Sequence, residues 1–329
     1  MGKKIAIIGV FTPEAILKRK IRAHLRKLGF HKSPAGTLLP PSSSKESIRA
    51  LHFEQRKAAL REQREFVRRA FPELQHHFAK GIDIDPEKVE PVLELIDADT
   101  WQSDLFRLAT LSWSVPVSAG FGRRLRYLVW DKSNNKLMGI IALGDPVFNL
   151  KARDDLIGWN VNDRGKRLVN VLDAYVLGAV PPYNIILGGK LISCLVRSRE
   201  VRDDFARRYG KTRGIISRKK KGARLVIVTT SSSLGRSSVY NRLKLGKESY
   251  FTSLGYTQGW GIFTFLIRCS PSSVAICASE NTNTSTAIAL DKVRIGALGQ
   301  LEPRSKLLDS NPICFGMVSD GKYFSANSR

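Results

Sequence analysis

Several things are scarce in this 329-residue chain, and each scarcity excludes something. Its four cysteines, at 194, 269, 277 and 314, show no paired spacing of the zinc-ribbon or zinc-finger kind. The five histidines (24, 31, 52, 76 and 77) all lie in the first quarter, away from every cysteine. No structural zinc site is therefore expected, and so few cysteines argue against a secreted disulfide scaffold. Long apolar runs are also missing. The nearest approach to the roughly 18–20 residues a membrane span requires is 174–189, which Pro181, Pro182 and Asn184 interrupt. The opening Lys3-Lys4 followed by Ile5 to Phe11 mimics a signal peptide. Thr12-Pro13-Glu14 cuts it short, and no small-x-small cleavage site follows. Met-Gly at the start fails the myristoylation pattern, because residue 6 is Ala. The expectation is a soluble cytoplasmic protein with no membrane partner.

Acidic residues are the last scarcity: 29 Asp and Glu stand against 54 Lys and Arg, a formal charge of +25. A folded chain this basic repels itself unless a polyanion compensates, and nucleic acid is the first such partner. Apolar residues make up 43% of the chain, enough for a sizeable core. The length suggests about two domains.

Residues 4–11 read as a strand. Thr12 as N-cap and Pro13 at the first helical position then open a helix that Gly29 ends, with Leu17, Ile21, Leu25 and Leu28 as its apolar stripe. A loop with Pro40-Pro41 leads to a second helical stretch, 45–71, carrying Lys45, Arg49, Arg56, Lys57, Arg61, Arg64, Arg68 and Arg69. Residues 1–80 hold 18 Lys and Arg against 6 Asp and Glu. A charged helix face is usually just a solvated one, but a face of one sign favours an electrostatic footprint on nucleic acid. An acidic interval from Asp83 to Asp99, with Pro86 and Pro91, reads as the junction to a second domain. From Tyr127 the pattern becomes short apolar runs (127–130, 137–143, 171–177, 225–229 and 262–267) separated by helical segments near 164–171, 189–209 and 236–245. That alternation predicts an α/β or α+β layered domain. Between Asp204 and Glu248 there is no acidic residue but 13 Lys and Arg, Arg218 and Lys219 to Lys221 among them.

The familiar catalytic signatures are mostly absent. Gly188-Gly189-Lys190 is not a Walker loop: Asn184 stands where that pattern needs Gly, and Leu191 where it needs Ser or Thr. As the opening of a helix after Pro181-Pro182-Tyr183-Asn184, it either receives a phosphate or pyrophosphate on exposed amides or is an ordinary glycine turn. Asp145, Asp154, Asp155, Asp163 and Asp173 either hold Mg²⁺ for phosphodiester chemistry or act as turn residues and arginine partners. In the polar segment 229–242, Arg236, Ser237, Ser238 and Arg242 suit phosphate contacts. Tyr240 suits stacking or proton donation, with helix capping and a core tyrosine as the plain alternative.

Taken together, several runs resemble the DruA family of Druantia anti-phage systems. They are Leu111 to Ser118, Gly122 to Tyr127, Ala142 to Leu150, Arg153-Asp154, Ile157 to Trp159, Asp173 to Tyr183, Gly188 to Lys190 and Leu234 to Leu243. The resemblance covers about 15–265, with the motifs in the same order, and the chain departs from the family's tail beyond about 268. It implies a cytoplasmic phage-defence protein, or a mobile-element relative, that works with nucleic acid and near a helicase partner. By a further, fold-level analogy, strand, glycine-opened helix, strand and a helix carrying Tyr240 resemble acetyltransferase-like (GNAT) and Mom-type DNA-modification domains. In those folds acyl-CoA pyrophosphate sits where Gly188, Gly189 and Lys190 lie here. The stretch before Gly188 lacks the pyrophosphate loop's usual Gln/Arg-x-x-Gly-x-Gly/Ala form.

The combined expectation is a basic helical nucleic-acid-binding region (1–80), a junction (81–126), a GNAT-like mixed-sheet α/β (α+β) domain (127–268) and a segment of unassigned role (269–329). Nucleic-acid contacts fall to Arg123, Arg124, Arg126, Arg153, Lys190, Lys219, Lys220, Lys221, Arg236, Ser237, Ser238 and Arg242, with DNA ahead of RNA. Tyr240 is the catalytic candidate, supported by Asp145 and Asp173. Acyl-CoA is the cofactor that the fold analogy suggests. The alternatives are a non-enzymatic adaptor recruiting a helicase or nuclease, and an Mg²⁺-dependent nuclease or recombinase-like enzyme built on Asp145, Asp154 and Asp173.

Overall fold

The computed structural model describes residues 13–27, 29–34, 38–39, 44–115, 117, 120–211, 222–232, 234, 237–256 and 312–317. The strands expected at 4–11 and 262–267 lie outside them, as do Lys219 to Lys221 and Arg236. Two compact units are present: 1–55 with 261–308, and 56–260 with 309–329.

In the first unit, α1 (Pro13–Lys27) exposes Lys18, Arg19, Lys20, Arg22, Arg26 and Lys27, while Ile21 and Leu25 are half-buried. Gly29, at φ 87°, ends it with a bond from its N–H to the Arg26 carbonyl, and Phe30 bonds back to Leu25. Only glycine takes that left-handed turn without strain. A two-residue hairpin, β1 (His31–Lys32) with β2 (Leu38–Leu39), follows.

Helix α2 (Lys45–Glu62) runs on through Gln63 into α3 (Arg64–Leu74). The second unit then continues with β3 (Pro91–Leu95), α4 (Trp101–Thr110), β4 (Arg124–Asp131), β5 (Lys136–Gly144), α5 (Lys151–Ile157), α6 (Val161–Arg167), β6 (Val171–Ala179), α7 (Gly188–Leu195), α8 (Arg199–Tyr209), β7 (Ile227–Ser231), α9 (Ser238–Asn241), β8 (Lys244–Leu245), β9 (Glu248–Ser249), β10 (Thr252–Tyr256) and β11 (Pro312–Met317). Seven strands form one sheet in the order β10-β11-β7-β6-β5-β4-β3. Every neighbouring pair is antiparallel except β6 and β7, which are parallel and matched only from Val171/Ile227 to Asp173/Thr229. The fold is α/β.

Both faces of the sheet are covered, so its central strands read as nearly continuous apolar runs. On one face Phe66, Ala70 and Leu74 of α3 and Leu105, Phe106 and Ala109 of α4 pack over Leu128, Ile140, Ala142 and Val176. On the other, Ile192 of α7, Val196 just after it, and Val201 and Phe205 of α8 pack over Tyr127, Val129, Met138, Ile141 and Leu143. Pro91–Leu95, read from sequence as junction, is the edge strand of this sheet, and α3 belongs to its core. The acidic residues and prolines around β3 suit an edge, where one row of backbone groups needs no partner.

Candidate functional site

The sheet gathers polar groups where β4 begins, β5 ends and β6 begins. Gly122, at φ 66°, lies so close to Asp145 that an added Cβ would stand 1.9 Å from Oδ2. Asp145 accepts the Arg123 backbone N–H (3.1 Å) and Nε–H (2.6 Å). The rest of the Arg123 guanidinium donates to the carbonyls of Val169 (2.6 Å), Val171 (3.2 Å) and Leu168 (3.4 Å) and lies over the Phe205 and Tyr209 rings. Arg123 thus joins the start of β4, the start of β6 and α8 from inside. Four of its five N–H donors are engaged within the chain, one by Asp145 and three by carbonyls, so its place is first a structural one.

Arg153 is likewise internal. It is fully buried, donates through Nε and Nη2 to Asp154 (2.8 and 2.7 Å), and holds the carbonyls of Val147 (2.9 Å) and Phe148 (3.0 Å). Asp154 is shared with Arg164 at 3.6 Å. Asp145 and Asp154 are therefore each matched to arginine, and no group of three metal-ligating side chains occurs among the described residues.

Asp173 has a different neighbour. Its Oδ1 accepts the Thr229 hydroxyl at 2.7 Å, and burial pushes its carboxyl up to about 6 against that hydrogen bond and the pull of Arg153. In register, Asp173 is opposite Gly144, which is itself opposite Arg124. One residue beyond Ala174, β6 carries an extra residue: Val176 pairs with Ala142 and Ala174 with Leu143, leaving Tyr175 as the bulge. Bulges re-aim a side chain. The Tyr175 ring fills the space that glycines leave, for a Cβ on Gly120 would stand 2.6 Å from its Cζ and one on Gly144 3.1 Å from Cε1. Burial raises the Tyr175 hydroxyl above the ordinary phenol value, and Arg126 and Arg124 draw it back. Arg124 itself donates to the Gly120 carbonyl at 3.2 Å.

The remaining candidates fall elsewhere. Gly188 opens α7 as expected, but its N–H is spent on the Tyr183 carbonyl (3.0 Å), and the Lys190 N–H on that of Leu187 (2.9 Å). The helix start is closed on itself, which removes two of the amides an anion would use. Tyr240 packs on Phe251 and donates to the Leu177 carbonyl at 3.4 Å. Leu177 is four residues along β6 from Asp173, about 13 Å at ~3.3 Å per residue. Asp173 is opposite Gly144, the residue before Asp145, but no contact joins the two carboxylates among the described residues, and Tyr240 stands apart from Asp173. Ser237 caps the short α9 by accepting the Val239 N–H (3.3 Å), the backbone of Ser238 begins that helix, and Arg242 is exposed just after it. Tyr175 and Thr229 are the residues that sequence reasoning passed over. The apolar run 171–177 marks a strand, and the extra residue that turns Tyr175 toward Arg124 leaves no trace in it.

A family model described as Druantia protein DruA matches residues 42–272. The chain belongs to the DruA family. A curated DruA relative, Druantia protein DruA of Escherichia coli (strain UMEA 4076-1), is 58% identical over 257 residues, which cover 78% of this chain and 64% of that protein. This DruA-family chain thus spans less than two thirds of that relative's length. No solved structure matches it. The matched span takes in α2 and α3 and every strand of the seven-stranded sheet but β11, so the polar cluster of β4 to β7 lies inside the family region. None of the helices among the described residues is long and apolar enough to cross a membrane.

Proposed function

We propose that this DruA-family chain is the nucleic-acid-binding component of an anti-phage Druantia system, taking DNA in preference to RNA and acting in the cytoplasm beside further subunits, a helicase among them. The observation that carries this reading is a stripe of four exposed cations, Lys57, Arg61, Arg64 and Arg68, along α2 and α3. Their spacing of four, three and four keeps them on one helical face, because Gln63 preserves the i to i−4 bonding with Ala59 and Val67 across the helix junction. The opposite face, Phe66, Ala70 and Leu74, is buried. No carboxylate pairs with any of the four among the described residues. A one-sign row of this kind matches the phosphate backbone, with phosphate contacts setting affinity and salt dependence. Exposed Phe71 and Leu60 border the stripe and suit contact with unstacked bases.

The test is binding of labelled single- and double-stranded DNA across a salt series, by wild type and by the variant with all four cations changed to Gln. Retained folding, weaker binding and a log K against log salt slope shallower by about three to four contacts are expected. Equal slopes would remove the stripe from the interface.

A GNAT-like, acyl-CoA-using reading has one specific support. Four antiparallel strands lead into a parallel β6/β7 pair with a glycine-opened helix between them, the element order expected of such a domain. Acyl-CoA raising the melting temperature would favour it. A rise with Mg²⁺ that Asp145→Asn abolishes would favour the nuclease alternative, and neither shift would favour the adaptor.

A further inference from the structure

Strand β4 sets Arg124 and Arg126 two residues apart, hence on the same face. Across from Arg124 stands Gly144 and across from Arg126 stands Ala142, so nothing large or acidic fills the adjoining positions of β5. Next to Gly144 lies the bulged Tyr175, whose ring is lodged against Gly120 and Gly144. The Arg124 guanidinium donates to the Gly120 carbonyl, and a Cβ on Gly120 would stand 3.1 Å from the Tyr175 hydroxyl oxygen, so guanidinium and phenol share one small space. All three side chains are half-buried. Among the described residues no carboxylate pairs with Arg124 or Arg126, and the Tyr175 hydroxyl donates to no protein acceptor. Asp173, the nearest acid along β6, is engaged by Thr229 and lies in the field of Arg153.

Two like charges brought side by side in a partly buried place repel each other, and water screens them less there than at the surface. Such a pair is stable when an anion joins it. Planar guanidinium forks with a phenolic O–H offer the donor set that fits a tetrahedral oxyanion.

We propose that Arg124, Arg126 and Tyr175 form a phosphate-binding subsite, with the arginines holding the anion and the bulge-turned Tyr175 hydroxyl donating to it. The phosphate is a phosphodiester of the nucleic acid strand, and in this the inference rests on the nucleic-acid reading above. It is separate from the α2–α3 stripe: the stripe contacts are exposed and additive, whereas this subsite is built into the sheet and positioned by glycines.

The experiment is isothermal titration of the full chain with inorganic pyrophosphate and with a short thymidine oligonucleotide, comparing wild type, Arg126→Gln, Tyr175→Phe and the four-Gln stripe variant, with melting curves as a check on folding. Arg126→Gln is expected to weaken oligonucleotide binding about tenfold and to remove about one contact from the salt slope. Tyr175→Phe, which keeps the ring, is expected to weaken it several-fold with no change in slope. Oligonucleotide affinity unchanged in both variants overturns the subsite while leaving the stripe intact. Pyrophosphate binding that Arg126→Gln abolishes, with oligonucleotide binding unaffected, overturns the nucleic-acid source and assigns the site to a small phosphorylated molecule. Oligonucleotide binding absent in wild type overturns the nucleic-acid reading, and the pyrophosphate arm then decides the subsite by itself. Should Arg126→Gln not fold, Tyr175→Phe carries the same comparison.

Discussion

The Asp173 carboxylate accepts the Thr229 hydroxyl at 2.7 Å across the parallel strands β6 and β7, at the last matched pair before their pairing ends. Burial dominates its titration and lifts it from 3.8 to about 6. Between those values the folded chain holds a proton that the unfolded chain has lost, so stability decreases as pH rises from about 4 to 6 and stays lowered above. Asp173→Asn keeps an acceptor for Thr229 and removes the charge. It should raise stability at pH 7–8 by on the order of 2–3 kcal/mol and change little at pH 4. Thermal denaturation across pH reads this out; an Asn variant no more stable than wild type at pH 8 contradicts it.

Arg153 predicts a structural rather than a binding phenotype. Arg153→Ala leaves Asp154 buried with only Arg164 beside it and releases the Val147 and Phe148 carbonyls, at a cost of about 3–5 kcal/mol. Chemical denaturation should show that loss. The salt slope of DNA binding, measured where the variant is still folded, should match wild type. A slope shallower by one contact would return Arg153 to the nucleic-acid interface.

The two glycines at the start of α7 should behave oppositely. A Cβ on Gly188 would meet the Tyr183 carbonyl oxygen at 2.6 Å, so Gly188→Ala should cost about 1–3 kcal/mol. On Gly189 the nearest atom is Val239 Cγ2 at 4.0 Å, and Gly189→Ala should stabilise by up to ~1 kcal/mol through helix propensity. Paired melting curves decide it. If Gly189→Ala alone impaired function without loss of stability, the helix start would regain its candidacy as an anion site.

Tyr240→Phe tests the original catalytic candidate. The hydroxyl makes a long bond to Leu177, so stability should change by less than about 1 kcal/mol, and nucleic-acid binding should be unchanged. Loss of phage protection by a folded Tyr240→Phe protein would show a chemical role that its position does not explain.

His77 stacks on Trp101 at 5.0 Å with its ring nearly parallel, and edges Trp130 at 5.3 Å. Burial, then His76 and Lys136, lower its affinity for a proton. Its contribution to stability is therefore present above the ordinary histidine value and is lost as pH falls below the depressed folded one. Tryptophan fluorescence should change in that acid range in wild type and lose the transition in His77→Gln; a transition that survives the substitution belongs to another group.

Much of the fold was legible because local chemistry and tertiary packing agree. Thr12-Pro13 and Gly29 bracket a helix found at Pro13–Lys27, and the apolar runs at 127–130, 137–143 and 171–177 lie inside β4, β5 and β6. Elsewhere they diverge. The polar stretch 236–245 reads as a helix, and among its described residues only Ser238–Asn241 are helical before a short hairpin begins. Pro91–Leu95 reads as a linker because an edge strand tolerates the residues that usually mark one. For the site, aspartates and arginines were visible but their partners were not: Arg123 and Arg153 look like surface cations until the carbonyls they hold, close to them in the chain or dozens of residues away, are in place.

The sequence by itself determined the α/β class, the basic excess of α2 and α3, and the family resemblance, since each depends on composition, periodicity or motif order. Only the tertiary structure decided which charges are spent and which remain. Burial and register are properties of chain segments far apart in sequence. They bind Arg123 to Asp145, part Tyr240 from Asp173, and turn Tyr175 toward Arg124 through one extra residue in β6.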